Sequence, residues 1–308
     1  PVQRSTNGGT RCVPPSVRRC ASRGEEKQGM QKIYKKYFAI FTLPTLIAYA
    51  IAFVVPFFMG LYLSFCKFKT IGNAKWVGLS NYLYVFQDSN GFLAALWFTV
   101  KIAVVGVITT NVIAFALALL LTRGLKGTNA FRTIFFMPNL IGGIILGYIW
   151  QLLLNGILIK LTGADLTFSA TYGYWGIIIL YNWQKIGYLM IIYIAGIQSI
   201  SADLMEAAQI DGANYRQTLR KIIIPLVMPS ITICSFLSLT DCFKMYDQNL
   251  ALTGGAPGTQ TAMLAMDICN TYYNRIGFAG IGQAKAVVFT VLVFAIAMVQ
   301  LRATRSKE

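Results

Sequence analysis

The sequence contains no histidine. That removes the commonest general base and the commonest metal ligand together, and with them the HExxH zinc-protease pattern. Acidic residues are few, 11 against 27 Lys and Arg, and charged residues make up only 12% of the 308 positions. An ordinary soluble domain carries about 25%. Carboxylates are not clustered as a metal or acid–base site needs, so a membrane enzyme finds no support. The six cysteines, Cys12, Cys20, Cys66, Cys234, Cys242 and Cys269, form no CxxC pair, so neither a zinc nor a redox motif is indicated. Cys66 and Cys234 lie in or beside apolar runs and read as small buried hydrophobes. No GxxxxGK[ST] occurs, so the chain has no loop of its own to cradle ATP phosphates.

What the sequence has instead is apolar length: 56% of it is hydrophobic. The net charge of +16 would suggest nucleic acid on a soluble protein. Here the basic residues sit in short clusters between long apolar runs, as membrane orientation signals do, and no nucleic-acid partner is expected. A spanning helix needs roughly 20 predominantly apolar residues. Six runs qualify, at about Tyr37 to Phe65, Leu93 to Leu121, Thr133 to Leu154, Tyr174 to Ile197, Ile223 to Phe243 and Gly282 to Leu301. They are continuous and do not alternate, which favours helices over a barrel. The expected fold is an all-α integral membrane protein with six transmembrane helices, its partner the membrane lipid.

Residues 1–29 carry five arginines and Pro14–Pro15 without apolar periodicity. The segment reads as disordered or as a non-native extension, with Met30 a plausible start and a cytoplasmic tail the alternative. With the N-terminus inside, the inner segments carry Lys32, Lys35, Lys36, Arg123, Lys126, Arg132, Arg216, Arg220, Lys221, Arg302, Arg305 and Lys307. The bias places both termini in the cytoplasm, although the loop from Lys67 to Lys75 runs against it. Gly143 and Gly147 form a GxxxG that serves either packing within the chain or a subunit contact.

Between the fourth and fifth runs lies a polar stretch of helical composition. Ser201 or Asp203 caps its start, Glu206 to Gln209 favour helix, and Gly212 breaks it. A second short helix follows from about Ala213 to Lys221, and Pro225 opens the fifth run. On physics alone this is either an ordinary connector or a compact knob with a task. The stretch EAAQIDGANYRQTLRKIIIPLVMP resembles the EAA loop of binding-protein-dependent ABC transporter permeases. The matching positions are Glu206, Ala207, Ala208, Asp211, Gly212, Ala213, Ile222, Ile224, Pro225 and Pro229. Leu219 stands where the family often has phenylalanine. WVGLSNY (76–82), FRTIFFMPNLIGGIILGYIW (131–150), NWQKIGYLMIIYIAGIQSI (182–200) and LTGGAPGTQT (252–261) resemble the carbohydrate-importer branch, the last with an inserted alanine.

The resemblance implies a type I ABC importer permease fold in the bacterial cell membrane, forming half of a sugar pathway without a cofactor or catalytic residues of its own. It implies as partners a second homologous permease, a dimer of separate ABC ATPases and an extracytoplasmic solute-binding protein. It divides the chain into a first helix and outer loop (30–92), a permease core (93–302) with the coupling loop at 200–225, and a tail (303–308). Glu206, Ala207, Ala208, Asp211, Gly212, Ala213, Arg216 and Pro225 would serve ATPase coupling.

Polar residues in spans are costly and face a cavity or a partner. Asn111, Asn182, Gln184, Lys185, Tyr188, Asp241, Lys244, Tyr246 and Asp247 are the candidates for the substrate path, and Trp183, Tyr188 or Tyr246 would supply a ring beneath a sugar face. Asp241 and Lys244 pairing one helical turn apart is the plainer alternative; Lys101 and Lys285 are expected to snorkel or pair. A permease for glycerol phosphate or an amino acid, or a channel, would be the other readings. An anionic substrate calls for an arginine inside the path, and none lies deep in a span.

Overall fold

The computed structural model describes residues 37, 38, 40, 42–87, 91–124 and 126–305. The expectations for residues 1–29, Met30 and Lys32 to Lys36 lie outside the described residues. The chain divides into two units, Pro1–Gly60 and Leu61–Glu308. In the first, helix α1 (Thr42–Ser64) begins. Its large side chains, Phe53 and Phe57 among them, are exposed, as a lipid-facing helix requires.

In the second unit the order is β1 (Cys66–Lys67), β2 (Lys75–Trp76), α2 (Ser80–Gln87), α3 (Phe92–Leu121), α4 (Thr128–Phe136), α5 (Gly143–Thr162), α6 (Ala170–Gln198) and α7 (Ala202–Ile210). Then come α8 (Tyr215–Leu226), α9 (Met228–Lys244), α10 (Asp247–Leu252), α11 (Leu264–Cys269) and α12 (Ala279–Arg305). Among the described residues five helices are long and apolar enough to cross a membrane, α1, α3, α5, α6 and α12; counted as one broken span, the pair α8–α9, bent by 67°, is a sixth. The chain is a multi-pass membrane protein. With 30 residues, α3 extends about 45 Å, enough to span roughly 30 Å of hydrocarbon while tilted.

Two spans depart from the expected limits. The third was expected over Thr133 to Leu154, but the chain breaks there. Helix α4 ends at Phe136, a tight turn runs Met137–Leu140, and α5 starts only at Gly143. Pro138 stands near the start of that turn and Gly142 is extended; proline supplies no N–H to continue a helix through it. The fifth span is kinked at Val227, between Pro225 and Pro229, for the same reason.

Helix α3 packs along α6, and α9 leans on both. One cluster of buried residues joins Phe98 and Ile102 of α3, Leu146 of α5, Ile177 and Tyr181 of α6, Phe243 of α9 and Leu252 of α10. A second joins Ala114, Ala118, Met190, Tyr193, Ile223 and Cys234 at the other end. Cys66 and Cys234 are fully buried, as small apolar fillers should be. Gly143 and Gly147 lie against Asp247, Gln248 and Ala251 of α10, so the GxxxG serves packing within the chain. Gly187 is tighter still: a Cβ there would run into the Phe135 carbonyl, so α6 admits the backbone of α4 directly.

The segment after Lys244 packs on the spans, α10 against α5 and α11 against α3. Buried Asn249 donates to the Thr261 carbonyl (2.8 Å) and the Thr253 hydroxyl (3.0 Å) and accepts from the Met263 N–H (2.9 Å). One amide thus satisfies turn groups that burial would otherwise orphan. Lys285 of α12, fully buried, donates to Asp267 (2.8 Å) and Thr271 (3.0 Å) and pins α11 to the last span. Lys101 lies over the Phe98 ring at 5.8 Å.

Removing one partner of a buried ion pair strands the other, at a cost of roughly 3–5 kcal/mol. Lys285→Met should therefore lower the melting temperature of the detergent-solubilised chain sharply, and adding Asp267→Asn should restore most of it. Equal melting of the wild type and the single variant would show that the pair does not hold the segment.

Candidate functional site

Two regions carry the residues singled out by sequence. The first is the EAA loop. Helix α7 follows Ser201, which occupies the cap position without a side-chain bond. It ends where Gly212 adopts φ +73°. The Gly212 N–H reaches the Gln209 carbonyl (3.1 Å) and the Ala213 N–H the Ala208 carbonyl (2.9 Å). This paired closure satisfies the last carbonyls of the helix and needs a residue without a Cβ at its centre. Helix α8 then opens on a reciprocal cap. Asn214 accepts from the Gln217 N–H (2.9 Å) while the Gln217 side chain accepts from the Asn214 N–H (2.8 Å).

The loop is therefore two helices set at a fixed angle. Glu206, Ala207, Asp211, Arg216 and Pro225 are exposed, Ala213 is half-buried, and Ala208 is buried beneath them. Ile210, one turn beyond Glu206, is 86% exposed. An isoleucine that bare beside a carboxylate suits a protein partner better than water. The sequence reading passed over Ile210. It also passed over the Asn214–Gln217 cap, which the spacing N-x-x-Q could have shown, and the Arg123 guanidinium 4.5 Å above the Tyr215 ring, which no local signal could.

The second region is inside the spans. Asn182 accepts from Thr110 (2.7 Å) and Thr109 (3.1 Å) of α3 and donates to the Ile178 carbonyl (2.9 Å). Asn111 donates to Ser238 of α9 (2.9 Å) and accepts from Tyr193 of α6 (2.7 Å). Both asparagines tie helices together. One turn beyond Asn182, Lys185 pairs with Asp241 across α6 and α9 at 3.0 Å and contacts Asn139 at 3.4 Å. Asp241 thus pairs between helices and not with Lys244.

Gln184 accepts from Gln248 at 2.9 Å and donates to the Ile141 carbonyl at 3.4 Å. The side chains of Lys185 and Asp241 keep 20% and 39% of their surface open. Trp183 is 43% exposed and meets Trp150 edge-on at 5.5 Å. Tyr188 is half-buried against the second apolar cluster, and Tyr246 is half-buried at the head of α10. The structure therefore brings Lys185, Asp241 and Asn139 together; Trp183, two residues before Lys185 on the same helix, faces away from them. A charged pair left open on a spanning bundle cannot face lipid at that depth, so water or another protein covers this face.

A family model described as "Binding-protein-dependent transport system inner membrane component" matches residues 110–305. Among characterised relatives, the probable starch degradation products transport system permease protein AmyD of Thermoanaerobacterium thermosulfurigenes is 39% identical, over 88% of this chain and 95% of its own. The trehalose/maltose transport system permease protein MalF of Thermococcus litoralis is 30% identical, over 86% and 92%. The multiple sugar-binding transport system permease protein MsmF of Streptococcus mutans is 27% identical, over 91% and 99%. A chain of a bacterial ABC transporter involved in alginate import superposes with a TM-score of 0.76 at 22% identity, over 90% of this chain and 98% of that one. This likeness shows the fold, that of a type I ABC importer permease.

Loss of an Asn cap costs about 1 kcal/mol. Asn214→Ala should speed amide hydrogen exchange over Tyr215 to Thr218 by roughly fivefold and leave α3 and α6 unchanged. Unaltered exchange would show that the reciprocal cap does not set the second helix.

Proposed function

The chain belongs to the family of binding-protein-dependent transport system inner membrane components, and from that premise we propose that it is the permease subunit of an ATP-driven carbohydrate importer, forming half of the pathway. As a transport-system membrane component it is not an enzyme; ATP hydrolysis belongs to a separate subunit. The observation that carries the reading is the EAA loop, a two-helix knob with Glu206 and Ile210 bare on its surface.

In this reading the knob seats in a groove of the ATPase, Ile210 supplying apolar contact and Glu206 a charged bond. The fixed turn at Gly212 transmits the push. The half-open face around Lys185 and Asp241 is where a second, homologous permease closes the pathway. Both termini then lie in the cytoplasm, and an extracytoplasmic solute-binding protein delivers substrate to the opposite face. The division into a first helix and outer loop over 30–92 and a core over 93–302 follows the same reading.

Carbohydrate is the substrate class because the relatives named above handle starch products, trehalose, maltose and multiple sugars. The site chemistry agrees. The Lys185–Asp241 pair is neutral overall and offers donors and acceptors together, which suits sugar hydroxyls. A free anion would have to compete with Asp241 for Lys185.

The test is to purify the full chain gently with its companions. We expect a P-loop ATPase and a second permease to accompany the wild type. Glu206→Ala combined with Ile210→Asp should reduce the retained ATPase at least tenfold, a loss of about 1.4 kcal/mol or more. In reconstituted vesicles Asp241→Ala should lower sugar uptake by a similar factor while ATPase retention is unchanged. A chain recovered alone, with the loop variants altering nothing, would sink the importer reading in favour of a channel.

A further inference from the structure

Three lysines, Lys67, Lys69 and Lys75, run against the orientation bias. Lys67 and Lys75 are direct cross-strand partners in the hairpin β1–β2. Like charges placed opposite one another destabilise a sheet pair, so the hairpin keeps a repulsion that any neutral residue would relieve. No ion pair joins these lysines to any described residue. Beside them opens a cleft of about 470 Å³, lined by Lys67, Lys69, Ser80, Asn81, Tyr84 and Phe278, with no carboxylate on its wall. That volume falls in the range of small-ligand sites, roughly 300–1,000 Å³.

Its position relative to the bilayer is set by its neighbours. Lys67 lies three residues beyond Ser64, where α1 ends, and the cleft's far wall is the start of α12. The apolar span α12 therefore begins at the cleft. The headgroup layer adds about 5–8 Å on each side of the hydrocarbon, which puts the lysine ammonium groups among lipid phosphates. Trp76 stacks on Phe65 at 5.3 Å and lies 5.8 Å from Tyr62, an aromatic girdle of the kind found at that level. Helix α2 agrees: it buries Asn81 and Val85, while Leu83 and Phe86, with Leu79 just before it, are 63%, 57% and 64% exposed. These three share one face, the pattern of a helix lying in the membrane interface.

We infer that this cleft binds the phosphate of an anionic phospholipid, held by Lys67 and Lys69 with Lys75 adding field, and that α2 beds into the same leaflet. The bound anion offsets the Lys67–Lys75 repulsion, so the hairpin is more stable where such a lipid is present. An acidic side chain of a soluble partner carries similar chemistry, but the depth of the site and the apolar face of α2 favour the lipid. The inference rests on the spans alone, not on the importer reading.

The experiment places the full chain, with the subunits that accompany it, in phosphatidylcholine nanodiscs with or without phosphatidylglycerol, and counts tightly retained lipids by native mass spectrometry. The wild type should retain phosphatidylglycerol in preference to phosphatidylcholine. K67Q/K69Q/K75Q should lose that preference by at least about tenfold, and the triple arginine variant should keep it. Lys75→Gln alone should raise the melting temperature in pure phosphatidylcholine and give no gain with phosphatidylglycerol.

Lys160→Gln, outside the cleft, serves as the control and should change neither readout. Unchanged lipid preference in the triple glutamine variant would overturn the proposal. So would displacement of the lipid by excess inorganic phosphate, which would point to a free-anion site. Retained lipid preference with weakened attachment of a solute-binding protein would reassign the cleft to that protein.

Discussion

Hydrogen bonds between spans are the interaction on which the rest depends. In lipid there is no hydrophobic drive to bring helices together, because the tails are as apolar as leucine; association needs close packing and polar ties. Here α3, α6 and α9 share one set of ties. Asn111 of α3 is bonded to Tyr193 of α6 and Ser238 of α9, and Tyr181 of α6 reaches the Ser238 carbonyl at 2.9 Å. Asn182 fastens α6 to α3 one stretch further along. Where a side chain would hold helices apart, glycine stands instead, as at Gly187 against Phe135.

Helix α6 gathers the consequences. Along one uninterrupted rod it carries Lys185, the glycine that seats α4, the Tyr193 tie, and finally the lead into the EAA loop. Lys185 and the end of the helix at Gln198 are about 20 Å apart along its axis. The fifth span is built the other way. Its 67° break at Val227 separates the piece next to the EAA loop, α8, from the piece that bears Asp241. The two halves of the Lys185–Asp241 pair therefore stand on one stiff support and one jointed support.

Much of this was legible in the sequence, for reasons that differ by residue. Continuous apolar runs locate spans because lipid demands length, and α3 matches its expected limits within a residue. Gly212 was readable because a glycine after a helical run has one principal use there. The third span was misplaced because apolarity continues through Pro138 and Gly142, so composition does not register the break that backbone chemistry makes. The packing of the segment after Lys244 has no local signal because it hangs on Asn249, whose bonds reach residues 12 and 14 positions on. The pairing of Asp241 with Lys185 in place of Lys244 was hidden too, since local spacing offers the near lysine and only packing brings the far one.

The buried Lys285 has a bearing on how the chain is made. A lysine within an apolar helix raises the cost of passing that helix into lipid by roughly 2.5–3.5 kcal/mol when it sits centrally. Its carboxylate partner, Asp267, is 18 residues earlier in the chain. The ribosome therefore delivers the acid before the base, and the acid belongs to the segment already gathered against the preceding spans. When α12 emerges, Lys285, the charge deepest in its apolar stretch, has a counter-ion already made. Biogenesis thus has a direction written into it: transferring this helix alone to the start of a chain would take away the companion that makes it insertable.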